Sequence, residues 1–175
     1  MDEIEVQILV TGIGTVLSFV SGWLLYLLND LIKKRKDIST ISKSIISELN
    51  DIKKYLEART KPLLEITSDP NGKTLSFHGY SLETTSFDSI MYSGIFRNLD
   101  TNIQIKLSNI YGRIKLSNEQ NSRIWGLATS VQTHTTRYLE NIQNYADELD
   151  KRYDEIKDAI PELTSLLNKK SSTKP

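Results

Sequence analysis

The chain has 175 residues with 22 basic and 22 acidic side chains, a formal net charge of zero at neutral pH. That balance argues against a dedicated nucleic-acid binder, which carries a basic excess, and the lack of cysteine removes disulfide frameworks, thiolate metal sites and cysteine nucleophiles. With 25% charged residues and few Pro or Gly, the chain reads as one folded domain with an appendage.

The appendage comes first. Val6 to Asn29 is a run of 24 residues without a charge, enough to cross the roughly 30 Å hydrocarbon core as a helix. A cleaved signal peptide would place its bases ahead of a shorter apolar core. Here Asp2, Glu3 and Glu5 precede the run, and Lys33, Lys34, Arg35 and Lys36 follow it. The expected layout is a short acidic extracytoplasmic N-terminus at 1–5, a transmembrane helix at 6–32, and a cytoplasmic remainder in a cell membrane. Trp23 and Tyr26 fall near the cytoplasmic end, where amphipathic rings favour the interface. The basic excess sits just under the bilayer: residues 31–61 carry nine bases and four acids. Lys33 to Lys36 account for topology and are the expected contacts to anionic headgroups, at ~1 kcal/mol per base.

At 100° per residue, Gln7, Thr11, Gly14, Thr15, Ser18, Ser21, Gly22 and Asn29 share a sector of ~120°. Within it Gly14, Ser18 and Gly22 repeat as small-xxx-small, the spacing that lets helix backbones approach in lipid. This stripe is expected to drive self-association, and several copies could line a polar path.

Beyond the basic cluster, Ile38, Ile41, Ile45, Leu49, Ile52 and Leu56 form one apolar stripe, so the helix is expected to continue to about Arg59. Pro62 should kink or restart it, with Leu63, Leu64 and Ile66 extending its apolar character. Ser68–Gly72 (SDPNG) is a strong turn signal, and 73–83 reads as a loop or short extended piece with Phe77 and Tyr80 tucked inward. Thr84 or Thr85 can cap a short helix that has Asp88 in its first turn and Gly94 beyond its end. Asp100 caps a longer helix running to about Gly126, weakened at Gly112 and across Ser117–Ser122. The last helix starts near Thr133. Its apolar positions are Tyr138, Ile142, Tyr145, Leu149, Tyr153, Ile156, Ile160, Leu163 and Leu167, with a bend or restart at Pro161. Residues 168–175 read as a disordered tail. The fold class is therefore all-α: a transmembrane helix followed, over 33–167, by a cytoplasmic antiparallel helical bundle with one long coiled-coil-like C-terminal helix. Tyr138, Tyr145 and Tyr153 read as core or interface residues, and their helix is the expected surface for a cytoplasmic protein partner.

Chemistry has few carriers. His78 and His134 are the two histidines, and neither has a second ligand type at metal spacing nearby. Phosphate-binding, dinucleotide, nucleophile-elbow and zinc-protease patterns are absent. Asp147/Glu148 and Asp154/Glu155 face Lys151, Arg152 and Lys157 as a solvated helix surface. No catalytic residue, metal ligand or cofactor is expected, and the chain reads as a non-enzyme.

One stretch carries a resemblance. LETTSFDSIMYSGIFRNLDTNIQIKLSNIYGRIKLSNEQ, at 82–120, matches through Thr84, Phe87, Asp88, Ile90, Gly94, Ile95, Phe96, Leu99, Leu107, Tyr111, Ile114 and Asn118. With the basic-flanked anchor before it, the pattern resembles small prokaryotic single-pass membrane proteins with a helical cytoplasmic domain. Some of these are similar to transmembrane effectors of antiviral systems, including one that accompanies a short Argonaute in thermophilic archaea. The resemblance covers roughly residues 6–125 and its motif is structural. It implies a membrane effector of an abortive-infection type; the alternative is a passive tether or scaffold for a cytoplasmic partner.

Overall fold

The structure, a computed structural model, describes residues 3–59, 61–69, 72–129 and 136–171. Helix α1 runs unbroken over Glu3–Ala58, so the apolar run and the amphipathic stripe beyond it form one rod. Ile45 and Leu49 are fully buried, and Ile52 and Leu56 nearly so. Pro62 disfavours helical geometry at the residue before it and offers no N–H, and α1 stops four residues earlier.

The segment after Pro62 adds to the mainly helical fold a hairpin that was not expected. Leu64–Asp69 is a strand, β1, paired antiparallel with β2 at Gly72–Phe77. Leu64 faces Phe77 and Ile66 faces Leu75, cross-strand apolar pairs of the kind that stabilise a sheet. The expected turn at Ser68–Gly72 is where the hairpin reverses; Pro70 and Asn71 lie outside the described residues. A lone two-stranded hairpin is marginal in water. This one is held at its base: Leu64 and Phe77 are buried in the core, and the Phe77 ring lies 6.4 Å from that of Trp125.

Helix α2 spans Thr85–Ser93 and ends at Gly94, whose φ of 71° is the left-handed cap that glycine supplies most cheaply. A short 3-10 turn at Ile95–Asn98 leads into α3, Thr101–Ala128. The Asp100 carboxylate accepts from the Asn102 N–H at 3.0 Å, as expected of an N-cap. As expected α3 is one helix, and it passes through the weak points at Gly112 and 117–122 without a break. Two of the polar residues there have tertiary partners. Asn118 accepts from the Leu82 N–H and donates to the Leu82 carbonyl, and Gln120 donates to the Tyr145 carbonyl.

Helix α4 spans Thr136–Ser171 and continues through Pro161. Asn168 to Ser171, expected in the tail, are helical, while residues 172–175 lie outside the described residues, as does the expected helix start at Thr133. The buried positions of α4 are Leu139, Ile142, Ala146, Leu149, Tyr153, Ile156, Ile160, Leu163 and Leu167. They alternate threes and fours without a fault. Leu139 and Ala146 therefore occupy the seam, with Tyr138 and Tyr145 flanking it.

Contacts define how the helices run. Lys106 pairs with Glu162 at 2.7 Å and Arg113 with Glu155 at 2.8 Å, so α4 numbers fall as α3 numbers rise. Arg59 meets Asp150, while Asn50 and Lys53 face Ile160–Lys169. Helix α4 is thus antiparallel to both α1 and α3, which run in the same direction as each other.

Candidate functional site

The most distinctive surface is the first half of α1. It is the one helix among the described residues long and apolar enough to cross a membrane. Phe19, Tyr26, Leu25 and Val16 are 76, 70, 67 and 63% exposed, and they point in several directions around the rod. Among the described residues nothing covers them, and burial on α1 begins only beyond the basic cluster. A rod of Leu, Val, Phe and Trp in water exposes far more apolar surface than folded monomers tolerate.

Gly14, Ser18 and Gly22 lie on this bare section. A methyl group added at Gly14 or Gly22 would meet nothing within 4 Å, so both backbones are open to a neighbour. Ser18 donates its hydroxyl to the Gly14 carbonyl at 2.9 Å. That bond satisfies the hydroxyl within its own helix, leaving the stripe smooth and small more than polar. The side chains of Gln7 and Thr11 lie outside the described set.

Lys33, Lys34, Arg35 and Lys36 are all exposed and wrap one full turn. Lys34 is bridged to Asp30 at 2.7 Å, so part of its charge is already answered. Such exposed i,i+4 pairs contribute only about 0.3–0.5 kcal/mol and do not lock the ammonium away from another anion.

Inside the domain, residues of the resemblance motif converge on a carboxylate that sequence reading passed over. Glu48, 6% exposed, accepts from the Tyr111 hydroxyl and from the Ser86 N–H, each at 2.6 Å. It therefore joins α1, the first turn of α2 and the middle of α3. The Phe87 ring stacks on Tyr111 with centroids 4.2 Å apart and meets Phe96 edge-on at 6.0 Å. Asp88 accepts from Thr84 Oγ1 at 2.8 Å and from Lys115 Nζ at 2.6 Å. These two bonds, the Lys115 one first, hold its carboxyl below the usual range. Burial, then the bond to Glu48, pushes the Tyr111 phenol far up. Every group here has a protein partner. A Glu inside an Ile-rich helical stripe was the available sequence signal, since a carboxylate on a buried face demands donors.

The three tyrosines of α4 are engaged within the fold. Tyr153 is 1% exposed; its hydroxyl donates to the Tyr80 carbonyl at 2.9 Å, and the Arg59 guanidinium lies 5.5 Å from its ring. Burial pushes its phenol up to about 12. Tyr138 donates to the Leu127 carbonyl at 2.7 Å, and Arg123 lies over the Tyr145 ring at 4.9 Å. Tyr138 and Tyr145 are half-buried and keep one flank at the surface; Tyr153 has none to offer a partner.

Two clefts flank the Tyr55–Tyr80 pair, whose rings meet edge-on at 4.9 Å. One of about 200 Å³ is lined by Glu48, Asp51 and Glu83; the other, of about 340 Å³, by Arg59, Lys61 and His78. In the second, Arg59 is engaged by Asp150 and His78 lies 3.5 Å from Glu65. His134 falls outside the described residues, and among those described no group of His, Cys, Asp and Glu converges to hold a metal ion. Comparison with known protein families, with curated proteins and with solved structures finds no match to this chain.

Proposed function

We propose that the protein is a membrane-anchored, non-enzymatic effector. The apolar section of α1 spans the cell membrane with the N-terminus outside, and the domain beneath it binds a cytoplasmic protein partner. One observation carries the reading: a single uninterrupted helix is bare and largely apolar from Gly12 to the basic cluster, then buried on one face beyond it. Lipid is the solvent that makes the bare half favourable, and Lys33–Lys36 mark where it meets anionic headgroups. Below that level α1, α3 and α4 act as an antiparallel bundle, with α4 as its coiled-coil-like member.

Gly14, Ser18 and Gly22 bring anchors together when a partner clusters the domains, and the clustered helices disturb the bilayer. The resemblance to transmembrane effectors of antiviral systems moves the reading from anchor to effector, with abortive infection as its setting. The test is a membrane-potential dye in cells expressing the protein with its partner. Loss of polarisation on triggering is expected, and full polarisation at verified expression would defeat the effector reading.

A passive tether is the second reading, favoured by the Ser18 hydroxyl being used within its own helix, which removes a donor from any polar path. Exchanging residues 6–32 for an unrelated transmembrane helix separates the two: a tether keeps its function, an effector loses it.

A further inference from the structure

The domain has an end that faces the basic cluster, and an exposed corner lies at that level. Helices α1 and α3 run in the same direction and Glu48 meets Tyr111. Ten residues back along each, about 15 Å at helical rise, are Ile38 and Thr101. The first turn of α3 is therefore level with the turn of α1 that follows Lys36. The preceding segment descends to that level. It starts with Leu82 held by Asn118 and Asp88 held by Lys115, and ends with the Leu99 carbonyl accepting from Gln104 Nε2 at 2.7 Å. On its way it turns at Gly94 and presents Met91 and Tyr92 at 46 and 91% exposure, with Arg97 exposed in the 3-10 turn.

We infer that this α2–3-10 corner is a second bilayer contact, in which Tyr92 and Met91 enter the headgroup layer and Arg97 meets lipid phosphate. The inference rests on the membrane-anchored reading above. A tyrosine bare on nearly all sides is well suited to the interface, where its ring is shielded and its hydroxyl stays hydrated. A guanidinium matches phosphate geometry with two parallel N–H donors. The corner and the Lys33–Lys36 turn would then fix the domain at two points and set its tilt against the bilayer, which a single helical stalk leaves free.

The chain lacks cysteine, so Leu25→Cys, Tyr92→Cys and Ser122→Cys each create a unique site for a nitroxide label. All three positions are exposed, and circular dichroism checks that each labelled chain keeps its helicity. The full chain is reconstituted in vesicles of phosphatidylcholine and phosphatidylglycerol, and accessibility to oxygen and to a water-soluble nickel chelate is compared. The oxygen-to-nickel ratio is expected to be highest at position 25, lowest at 122, and several-fold above the 122 value at 92. Adding Arg97→Gln to the position-92 chain should lower that ratio. If position 25 reads as lipid while 92 reads as water, like 122, the corner inference is overturned and the anchor stands. If position 25 itself reads as water, both fall. A label at 92 shielded from both relaxing agents would mean a protein covers the corner, and would overturn the lipid assignment.

Discussion

Glu48 shows how one side chain couples three helices. Its carboxylate is nearly buried and holds two donors, the Tyr111 hydroxyl and the Ser86 N–H. Removing a partner from a buried polar group costs about 1–3 kcal/mol, whereas the net value of an intact neutral bond is nearer 1. Tyr111→Phe should therefore destabilise the domain by about 1–3 kcal/mol in urea unfolding followed by ellipticity. Glu48→Ala should cost at least as much, because it orphans two donors. A neutral outcome for Tyr111→Phe would mean that water replaces the phenol. Asp88 sets a pH dependence nearby. Its carboxyl is depressed below 3.8 by Lys115 and then Thr84, so the stabilisation is complete above pH 3.8 and lost as pH falls through the lower folded value. The stability gap between the native chain and Asp88→Asn should thus be steady above that pH and shrink below it. A gap independent of pH would show that the ion pair contributes nothing.

At the scale of elements, α4 is organised by its seam. The buried positions step by three and four from Leu139 to Leu167, matching a heptad repeat that keeps one face toward the neighbouring helices. Rungs on its flanks, Lys106–Glu162 and Arg113–Glu155, repeat one heptad apart. They are exposed pairs, worth at most about 1 kcal/mol each, so burial holds the helix in place. Leu149→Ala, at a fully buried site, should cost about 2–5 kcal/mol. Leu116→Ala, on a position 53% exposed, should stay within about 0.5 kcal/mol. Equal effects in thermal unfolding would rule out the seam as the source of stability. The hairpin is the contrasting element: two six-residue strands with no third among the described residues to pair with, stable because the helices bury one end of it.

For the whole molecule, the division along α1 decides behaviour in solution. From Ile13 to the basic cluster the helix exposes apolar side chains in several directions, while the core begins at Ile45 and closes among α1, α3 and α4. A chain starting at Asp37 should remain soluble, with its helicity and unfolding transition retained, because no core residue is removed. The full chain should resist extraction from membranes by alkaline carbonate. Aggregation of the shortened chain with loss of helicity would indicate that the apolar section packs into the domain.

Features with a local period were legible in the sequence. The long apolar run, the α1 stripe to Leu56, the Asp100 cap and the Gly94 stop each depend on neighbours within about one helical turn. So did the Ile142–Leu167 face of α4, because burial repeats with the helix itself. Three things were decided only by tertiary structure. The strands at 64–69 and 72–77 carry too few apolar residues to announce themselves, and exist because the core accepts Leu64 and Phe77. The polar stretch 117–122 looked like a weak point, yet remains helical because Asn118 and Gln120 find backbone partners on other segments. The α4 seam takes Leu139 and Ala146 in preference to Tyr138 and Tyr145, since an unbroken alternation of threes and fours packs closely where two successive fours drift off the face. Glu48 joins them as a buried charge whose donors lie 38 and 63 residues away, a separation at which spacing along the chain carries no signal.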